Sequence, residues 1–471
     1  MTTLSQKVPL KEKLAYGFGD LASVLYWQTF MLYFTYFYTD VFLILPGAAA
    51  TMFLLSRIWD GINDPMMGMV ADRTNTRWGK FRPYLLWLCV PFAVAGVFTF
   101  TVPDFGTTGK LVYAYITFFA IMMLYTAINI PYTALLGVIS GDSKERTTVS
   151  SVKFIFAFAA GMIVSASLLI MVKHLGGGNE AKGWQYSFMI YGAAAIIFFL
   201  IAFFGTKERV QPPKTQKSSI KKDIYELLTN KPWLILLATT ITFILFVAVR
   251  SSVTVHYFKY VICTREFSLP FFGTGMFDYN EIVSAFNTIG QFSSLLGALL
   301  VSFFANKIGK KKAFIILFVI AIVSTAAFYF LNADHMTLIF FFQITGSITG
   351  GPLSVLLWAM YADTADYSEW KHGRRATGLI FSASTMSQKI GWAIGAYLAL
   401  TLMAQVGYEA NVAQTGESLN GLILLFSLIP AALGIVSILI SLTYPLNETK
   451  VEQIVNELNE KRKESGEEVN E

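Results

Sequence analysis

The 471 residues predict an all-α integral membrane protein with twelve transmembrane helices in two six-helix bundles and both termini cytoplasmic. Three observations carry that prediction. Hydrophobic residues make up 55% of the chain and charged ones only 14%, where soluble domains have about 25% charged. The apolar residues are gathered into runs: 83–103, 111–140, 184–206, 282–306, 313–333, 336–362 and 418–447 contain no Asp, Glu, Lys, Arg or His, and each exceeds the roughly 20 residues that cross a bilayer. The basic residues of the loops collect on one side. An ordinary soluble enzyme is excluded.

Those runs supply seven spans, and five more follow when isolated interior charges are allowed: about 14–39 (Asp20), 46–71 (Arg57, Asp60, Asp64), 148–172 (Lys153), 233–255 (Arg250) and 377–406 (Lys389). Between them the loops alternate in charge. One side carries Lys7, Lys11 and Lys13, then Arg73, Arg77, Lys80 and Arg82, Lys144 and Arg146, the run 207–231, the lysines at 307–312, Lys371, Arg374 and Arg375, and Lys450, Lys461, Arg462 and Lys463 of the tail; the other carries only Lys110, Lys173, Lys182, Lys259 and Arg265. The positive-inside rule therefore places both ends in the cytoplasm. The net charge of +6 sets this orientation and gives no reason to invoke nucleic acid. Residues 1–13 are polar and precede a long span with an acid in it, so the first helix is expected to remain uncleaved. Cys89 and Cys263 fall in or next to different spans, without disulfide or metal-ligand spacing, and read as small packing residues.

The hydrophilic stretch 207–232 divides an N-terminal bundle, 1–206, from a C-terminal bundle, 233–447, and a charged cytoplasmic tail, 448–471, follows. The halves echo each other. DRTNTRWGKFR at 72–82 follows span 2 and NKIGKKK at 306–312 follows span 8; Arg146-Thr147 precedes span 5 and Arg375-Ala376 precedes span 11. Two echoes at nearly one offset indicate an internal duplication, the pattern of transporters whose halves rock about a central site. In the first loop, Asp72 beside Arg73, Arg77 and Lys80 is expected to make charge-assisted bonds that hold one conformation of an inner gate. The tail shows no apolar face long enough to dock, so a fraying helix or disordered segment is expected.

An ionisable group at bilayer depth is costly unless paired or hydrated, and so marks function. Asp20, Asp60, Asp64, Arg57, Lys153, Arg250 and Lys389 lie on spans 1, 2, 5, 7 and 11. That distribution suits a polar central cavity. On span 2, Arg57, Asp60 and Asp64 share one helix face at i, i+3 and i+7, with Asn63 a turn neighbour. Two carboxylates and an amide oxygen fit a hard monovalent cation, and Pro65 leaves a backbone carbonyl one turn back without its donor. The pair equally accommodates H⁺ in place of Na⁺, and a structural ion pair with Arg57 would neutralise only one acid.

Asp20 with Tyr26, Trp27 and Gln28, then Thr126, Asn129, Tyr132 and Thr133, and on span 11 Ser384, Thr385, Gln388, Lys389 and Trp392, offer hydrogen-bonding groups beside aromatic faces. Sugar recognition needs that combination, since hydroxyls seek carboxylates and amides while ring C–H faces stack on Trp or Tyr. His174, His256, His335 and His372 lie in or near loops or span ends, with no nucleophile order and no nucleotide loop. The chain reads as no enzyme and needs no cofactor, so energy must come from an ion gradient.

At this point the residues resemble the glycoside/pentoside/hexuronide:cation symporters of the major facilitator superfamily, over the whole chain. The resemblance rests on YGFGD at 16–20, FYTDVF at 37–42, RIWDGINDP at 57–65, DRTNTRWGKFRPY at 72–84, NIPY at 129–132, ADTADYSEW at 362–370 and Lys389. It implies the major facilitator fold in a bacterial cytoplasmic membrane. It also implies a cation site from Asp60, Asn63, Asp64 and Thr126, a sugar contact at Asp20, and Lys389 near the cation acids. Where melibiose-type members carry a second Asp on span 4, an Arg on span 5, a Trp near the end of span 4 and a Lys before the first Asp, this chain has Asn129, Lys153, Thr133 and Gly19. The sugar positions thus point away from melibiose: the loss of an acid at Asn129 eases a pentoside or an acidic sugar, whose carboxylate Lys153 could meet, and a neutral glycoside or pentoside is the expectation.

The function these readings imply is symport of a sugar or glycoside with Na⁺ or H⁺ by alternating access. Asp60, Asn63, Asp64 and Thr126 would bind the cation; Asp20, Asn129, Thr133, Lys153 and Trp392 the sugar; and Arg57 and Lys389 would couple the two. Its partners are the sugar, the cation and membrane lipids. An uncoupled facilitator or exchanger has less need of the intact acids, and a membrane sensor of the same fold would bind without accumulating its ligand.

Overall fold

The computed structural model describes residues 7–140, 143–209, 227–269, 273–372 and 377–464. The chain divides into two compact units: Met1–Lys214 with Ser252–Gln291 and Leu400–Leu419, and Thr215–Ser251 with Phe292–Ala399 and Asn420–Glu471.

The first unit begins with α1 (Leu10–Tyr36), which passes into a π-helical turn at Phe37–Val41. There follow α2 (Pro46–Arg73) and α3 (Arg82–Thr99), each with a proline in its first two positions, where the missing N–H costs nothing. Then come α4 (Thr107–Ile139), α5 (Ser143–Gly176) and α6 (Glu180–Gly205). Helix α1 packs on α5 and α6, α3 on α4 and α6, and α2 on α4. Their core is aromatic, with Phe30, Phe37, Phe100, Trp184 and Phe188 buried together and the rings of Phe100 and Phe188 stacked. To this unit belong also the end of α7 (Lys231–His256), a second π-helical turn at Tyr257–Ile262, and a short antiparallel hairpin, β1 (Arg265–Leu269) with β2 (Gly273–Phe277). That hairpin is the one non-helical element added to the all-α expectation among the described residues.

The second unit holds the start of α7, most of α8 (Tyr279–Ile308), α9 (Lys310–Ala327), α10 (Met336–His372) and α11 (Thr377–Gln405) up to Ala399. Helix α12 (Gly416–Phe426) breaks before α13 (Leu428–Leu442), whose third residue, Pro430, cannot donate to the preceding turn. Trp233, Phe243, Phe314, Phe318, Leu357 and Tyr361 are buried in its core.

Nine helices among the described residues are long and apolar enough to cross a membrane, and they cover the seven charge-free runs plus the spans carrying Lys153 and Arg250. The other three expected stretches fall in α1 with the π-helical turn that continues it, in α2, and in α11, which ends at Gln405; in α2 it is the charges that keep the composition less apolar. Large apolar side chains such as Phe204, Leu299 and Phe330 are exposed by 70% or more, as a lipid-facing surface requires.

Two expectations are corrected. Residues Glu448–Glu464 of the tail form a helix, α14, as one of the two alternatives had it, but one with a docking face: Val451, Ile454 and Leu458 recur at i, i+3 and i+7, burying Ile454 and Leu458 against α10, while Trp370 donates to Glu457 at 2.6 Å. That narrow stripe is hidden in a segment dominated by charge. Cys263 is exposed, with φ of 63°, and only Cys89 packs in the interior.

Candidate functional site

Helix α2 carries the span 2 charges and runs on through position 65. Arg57 Nη1 donates to Asp60 Oδ2 at 2.9 Å, and both side chains are 2% exposed. The guanidinium lies 4.7 Å from the Trp27 ring centroid and 4.8 Å from that of Phe53, so aromatic faces take the place of water around a buried cation. One turn further on, Asp64 Oδ1 accepts from the Thr126 hydroxyl of α4 at 2.9 Å. Asn63, half-buried, stands between the two acids on the same helix.

Beside this, α1 and α4 are pinned through a reciprocal pair: the Tyr16 hydroxyl donates to the Tyr132 carbonyl at 3.2 Å and the Tyr132 hydroxyl to the Tyr16 carbonyl at 2.8 Å, with the rings stacked at 4.6 Å. The approach depends on Gly19, where a β-carbon would fall 2.5 Å from the Tyr132 ring. Asp20 follows directly and meets Lys153 Nζ of α5 at 3.5 Å; that ammonium is 5.7 Å from the Tyr132 ring centroid. Trp27 stacks on Tyr125 at 5.4 Å. The Asn129 amide donates to the Tyr125 carbonyl of its own helix at 3.1 Å, which leaves its oxygen for other partners. Thr133 is exposed. The structure therefore brings Asp20 to Lys153 and Asp64 to Thr126.

Lys389 and Trp392 stand on α11 of the second unit, half-buried, with Trp392 against that unit's core. In the same unit Arg250 donates to Gln343 at 3.2 Å and lies against the rings of Phe328 and Phe426.

At the loop between α2 and α3, Asp72 belongs to α2 but its side chain lies outside the described residues, as do those of Arg146, Thr147, Arg375 and Ala376. Arg73 is exposed, and Arg77 covers the Trp78 ring at 4.3 Å. The acid that organises this loop is one that sequence reasoning missed. Glu208, beyond the end of α6, accepts the backbone N–H groups of Lys80 at 2.8 Å, Phe81 at 2.8 Å and Arg82 at 2.9 Å, a carboxylate at the N-terminus of α3. Next to it, Arg209 makes a two-armed bond to Glu12 at 2.7 Å on each arm, and that bonding raises the guanidinium pKa above its usual value. In the second unit Glu448, beyond the end of α13, accepts from Lys310 N–H at 3.3 Å at the start of α9. Each carboxylate follows its half's last apolar run, at KER 207–209 and at NET 447–449, and that placement was the available signal.

The family model for MFS/sugar transport proteins matches residues 15–448. The chain is 34% identical to the putative glycoside/cation symporter YagG of Escherichia coli (strain K12), covering 98% of each chain. It is 35% identical to the isoprimeverose transporter of Lactiplantibacillus pentosus, over 88% of this chain and 84% of that one. Among solved structures it is similar in fold to the nucleoside transporter NupG, with a TM-score of 0.62 at 14% identity, covering 93% of this chain and 100% of that one.

Proposed function

Since this chain belongs to the MFS/sugar transport protein family, and so is a multi-pass membrane transporter and not an enzyme, we propose that it imports a glycoside or pentoside together with Na⁺ or H⁺. We further propose that twelve spans carry it through the bacterial inner membrane with both termini cytoplasmic. The observation that supports the coupled reading is the oxygen-rich cluster on α2: Asp60 held by Arg57 and, one turn on, Asp64 bonded to the Thr126 hydroxyl of α4. Carboxylate, hydroxyl and amide oxygens are the ligand types that a monovalent cation takes, and either carboxylate can take a proton instead. Asn63 supplies a further oxygen on the same helix.

On this reading the sugar is held beside Asp20 and Lys153, which between them accept from and donate to hydroxyls, with Trp27 and Tyr125 as apolar faces. Asn129, Thr133, Lys389 and Trp392 complete the proposed set, and cation and sugar raise each other's affinity by the same factor. The relatives named as a glycoside/cation symporter and an isoprimeverose transporter support the substrate class. The inner turn capped by Glu208, with Asp72, Arg73, Arg77 and Lys80, would secure one state of the inner gate.

The test is uptake of labelled glycosides and pentosides into vesicles, with and without an inward Na⁺ gradient at fixed pH and with and without a pH gradient. Accumulation that needs one gradient and is lost in Asp64→Asn is expected. Equal flux in every condition and in the variant would leave a facilitator.

A further inference from the structure

At the end of α1 far from Glu12, the first unit contains a second charged centre that the transport site does not use. It is built on Asp40, whose side chain is 0% exposed. Its Oδ1 accepts from Lys259 Nζ at 2.9 Å and from the Tyr260 hydroxyl at 2.5 Å; its Oδ2 accepts from the Tyr408 hydroxyl at 2.6 Å and faces His256 Nε2 at 2.9 Å. The Thr39 hydroxyl is 2.8 Å from Oδ2. Asn411 closes the ring, accepting from Lys259 at 2.7 Å and donating to the Asp40 carbonyl at 2.6 Å and, through its N–H, to the Tyr260 hydroxyl oxygen at 2.9 Å.

Among the described residues His256 Nδ1 is buried without a hydrogen-bond partner, so the ring meets its polar surroundings through Nε2, which faces the carboxylate. Lys259 Nζ is the ammonium that pairs with Asp40. Burial and the neighbouring Asp40 charge push the Tyr408 pKa upward, so that phenol stays a donor. The other titratable groups near Lys259 are Tyr36 and Tyr279, both of which donate to Glu180.

Three separate chain segments meet on this one carboxylate: 39–40, 256–260 and 408–411. Two of them are π-helical turns, whose extra residue widens the helix and turns side chains off the regular face. Both turns are followed by a non-glycine residue at φ of 63°, Leu43 and Cys263, a cost that only strong surroundings sustain. The same end of the unit has another ion pair, from Lys173 to Asp278 and Glu281 at 2.8 Å each, but its side chains are 24–37% exposed and water screens it. Asp40 differs, because separating it from segment 256–260 leaves its buried charge without Lys259, and withdrawing 408–411 takes away the Tyr408 and Asn411 hydrogen bonds that hold it.

We propose that Asp40 is the latch of the outer gate, holding together the outer ends of α1, α7 and α11, just beyond which Asp40, Lys259 and Tyr408 stand, until the transporter opens outward. The inference rests on the alternating-access reading above and adds a residue remote from its substrate and cation groups. Asp40 is thus a positioning residue, and its test must read gate position and not only uptake.

The test uses the full chain carrying Cys89→Ala, Cys263→Gly and Ser284→Cys, labelled in intact cells with a membrane-impermeant maleimide. Ser284 is 2% exposed near the outer start of α8. Adding Asp40→Asn should raise the labelling rate at position 284 by at least about tenfold, since it unbalances a buried pair. Tyr408→Phe, which removes one donor and keeps the charges matched, should raise it less and in the same direction. If Asp40→Asn does not reach the membrane, Tyr408→Phe decides alone. Unchanged labelling in variants present at the parent's level overturns the latch. The readout needs neither sugar nor ion gradient, so a latch that fails and a symport reading that fails give different results.

Discussion

The Glu208 carboxylate lies so close to Gly79 that a β-carbon at position 79 would come within 2.5 Å of it, and Gly79 itself has φ of 111°. The turn before α3 therefore tolerates only glycine, for two independent reasons. Gly79→Ala should lower stability by about 1–3 kcal/mol, read as a fall in the thermal unfolding midpoint of purified protein. At the equivalent Gly309 the nearest atom of Glu448 would be 3.5 Å away, an ordinary contact, so Gly309→Ala should cost only the backbone term of about 1–2 kcal/mol.

The two acids of α2 should separate in experiment. Removing Asp60 strands the buried Arg57, so Asp60→Asn should cost about 3–5 kcal/mol and reduce the amount of folded protein, with much of the loss recovered in Arg57→Gln/Asp60→Asn. Asp64, half-buried and bonded to a hydroxyl, should tolerate Asn within about 1 kcal/mol while gradient-driven uptake falls. Equal loss of folded protein in both single variants would contradict this division.

Gly19 stands where the resemblance to melibiose-type members would place a lysine, and the packing leaves no room for one. Tyr132 fills the space any side chain at 19 would need. Gly19→Ala should cost about 1–3 kcal/mol, and Gly19→Lys should fail to accumulate in the membrane, which immunoblotting of membrane fractions would record.

Lys153 should matter by charge. Lys153→Gln removes the partner of Asp20 and should raise the uptake KM about tenfold, whereas Lys153→Arg should keep most of the affinity. An unchanged KM in Lys153→Gln would remove this pair from the sugar site.

Much of this was legible in the chain because hydrophobic length and isolated charge are strong signals at bilayer depth. The charge-free runs became helices, and the spacing of Arg57, Asp60 and Asp64 put them on one face of α2. The pairing of Asp64 with Thr126 and of Asp20 with Lys153 needs the packing of α2 on α4 and of α1 on α5, which periodicity within one helix cannot supply. Asp40 was quoted only as part of a motif: a π-helical turn has no sequence signature, and its partners stand more than 200 residues away. The docking face of α14 was missed because three apolar residues at the right spacing suffice to dock it, far fewer than a span requires.

The carboxylate caps also impose an order on synthesis. The turn at Gly79 leaves the ribosome long before its cap, since Glu208 follows Lys80 by 128 residues; Glu448 follows Lys310 by 138. Each half must therefore insert its helices around an unsecured inner turn and tighten it last. A ribosome stalling shortly before codon 448 would hold a chain with the apolar runs of both halves made and the second turn not yet fastened.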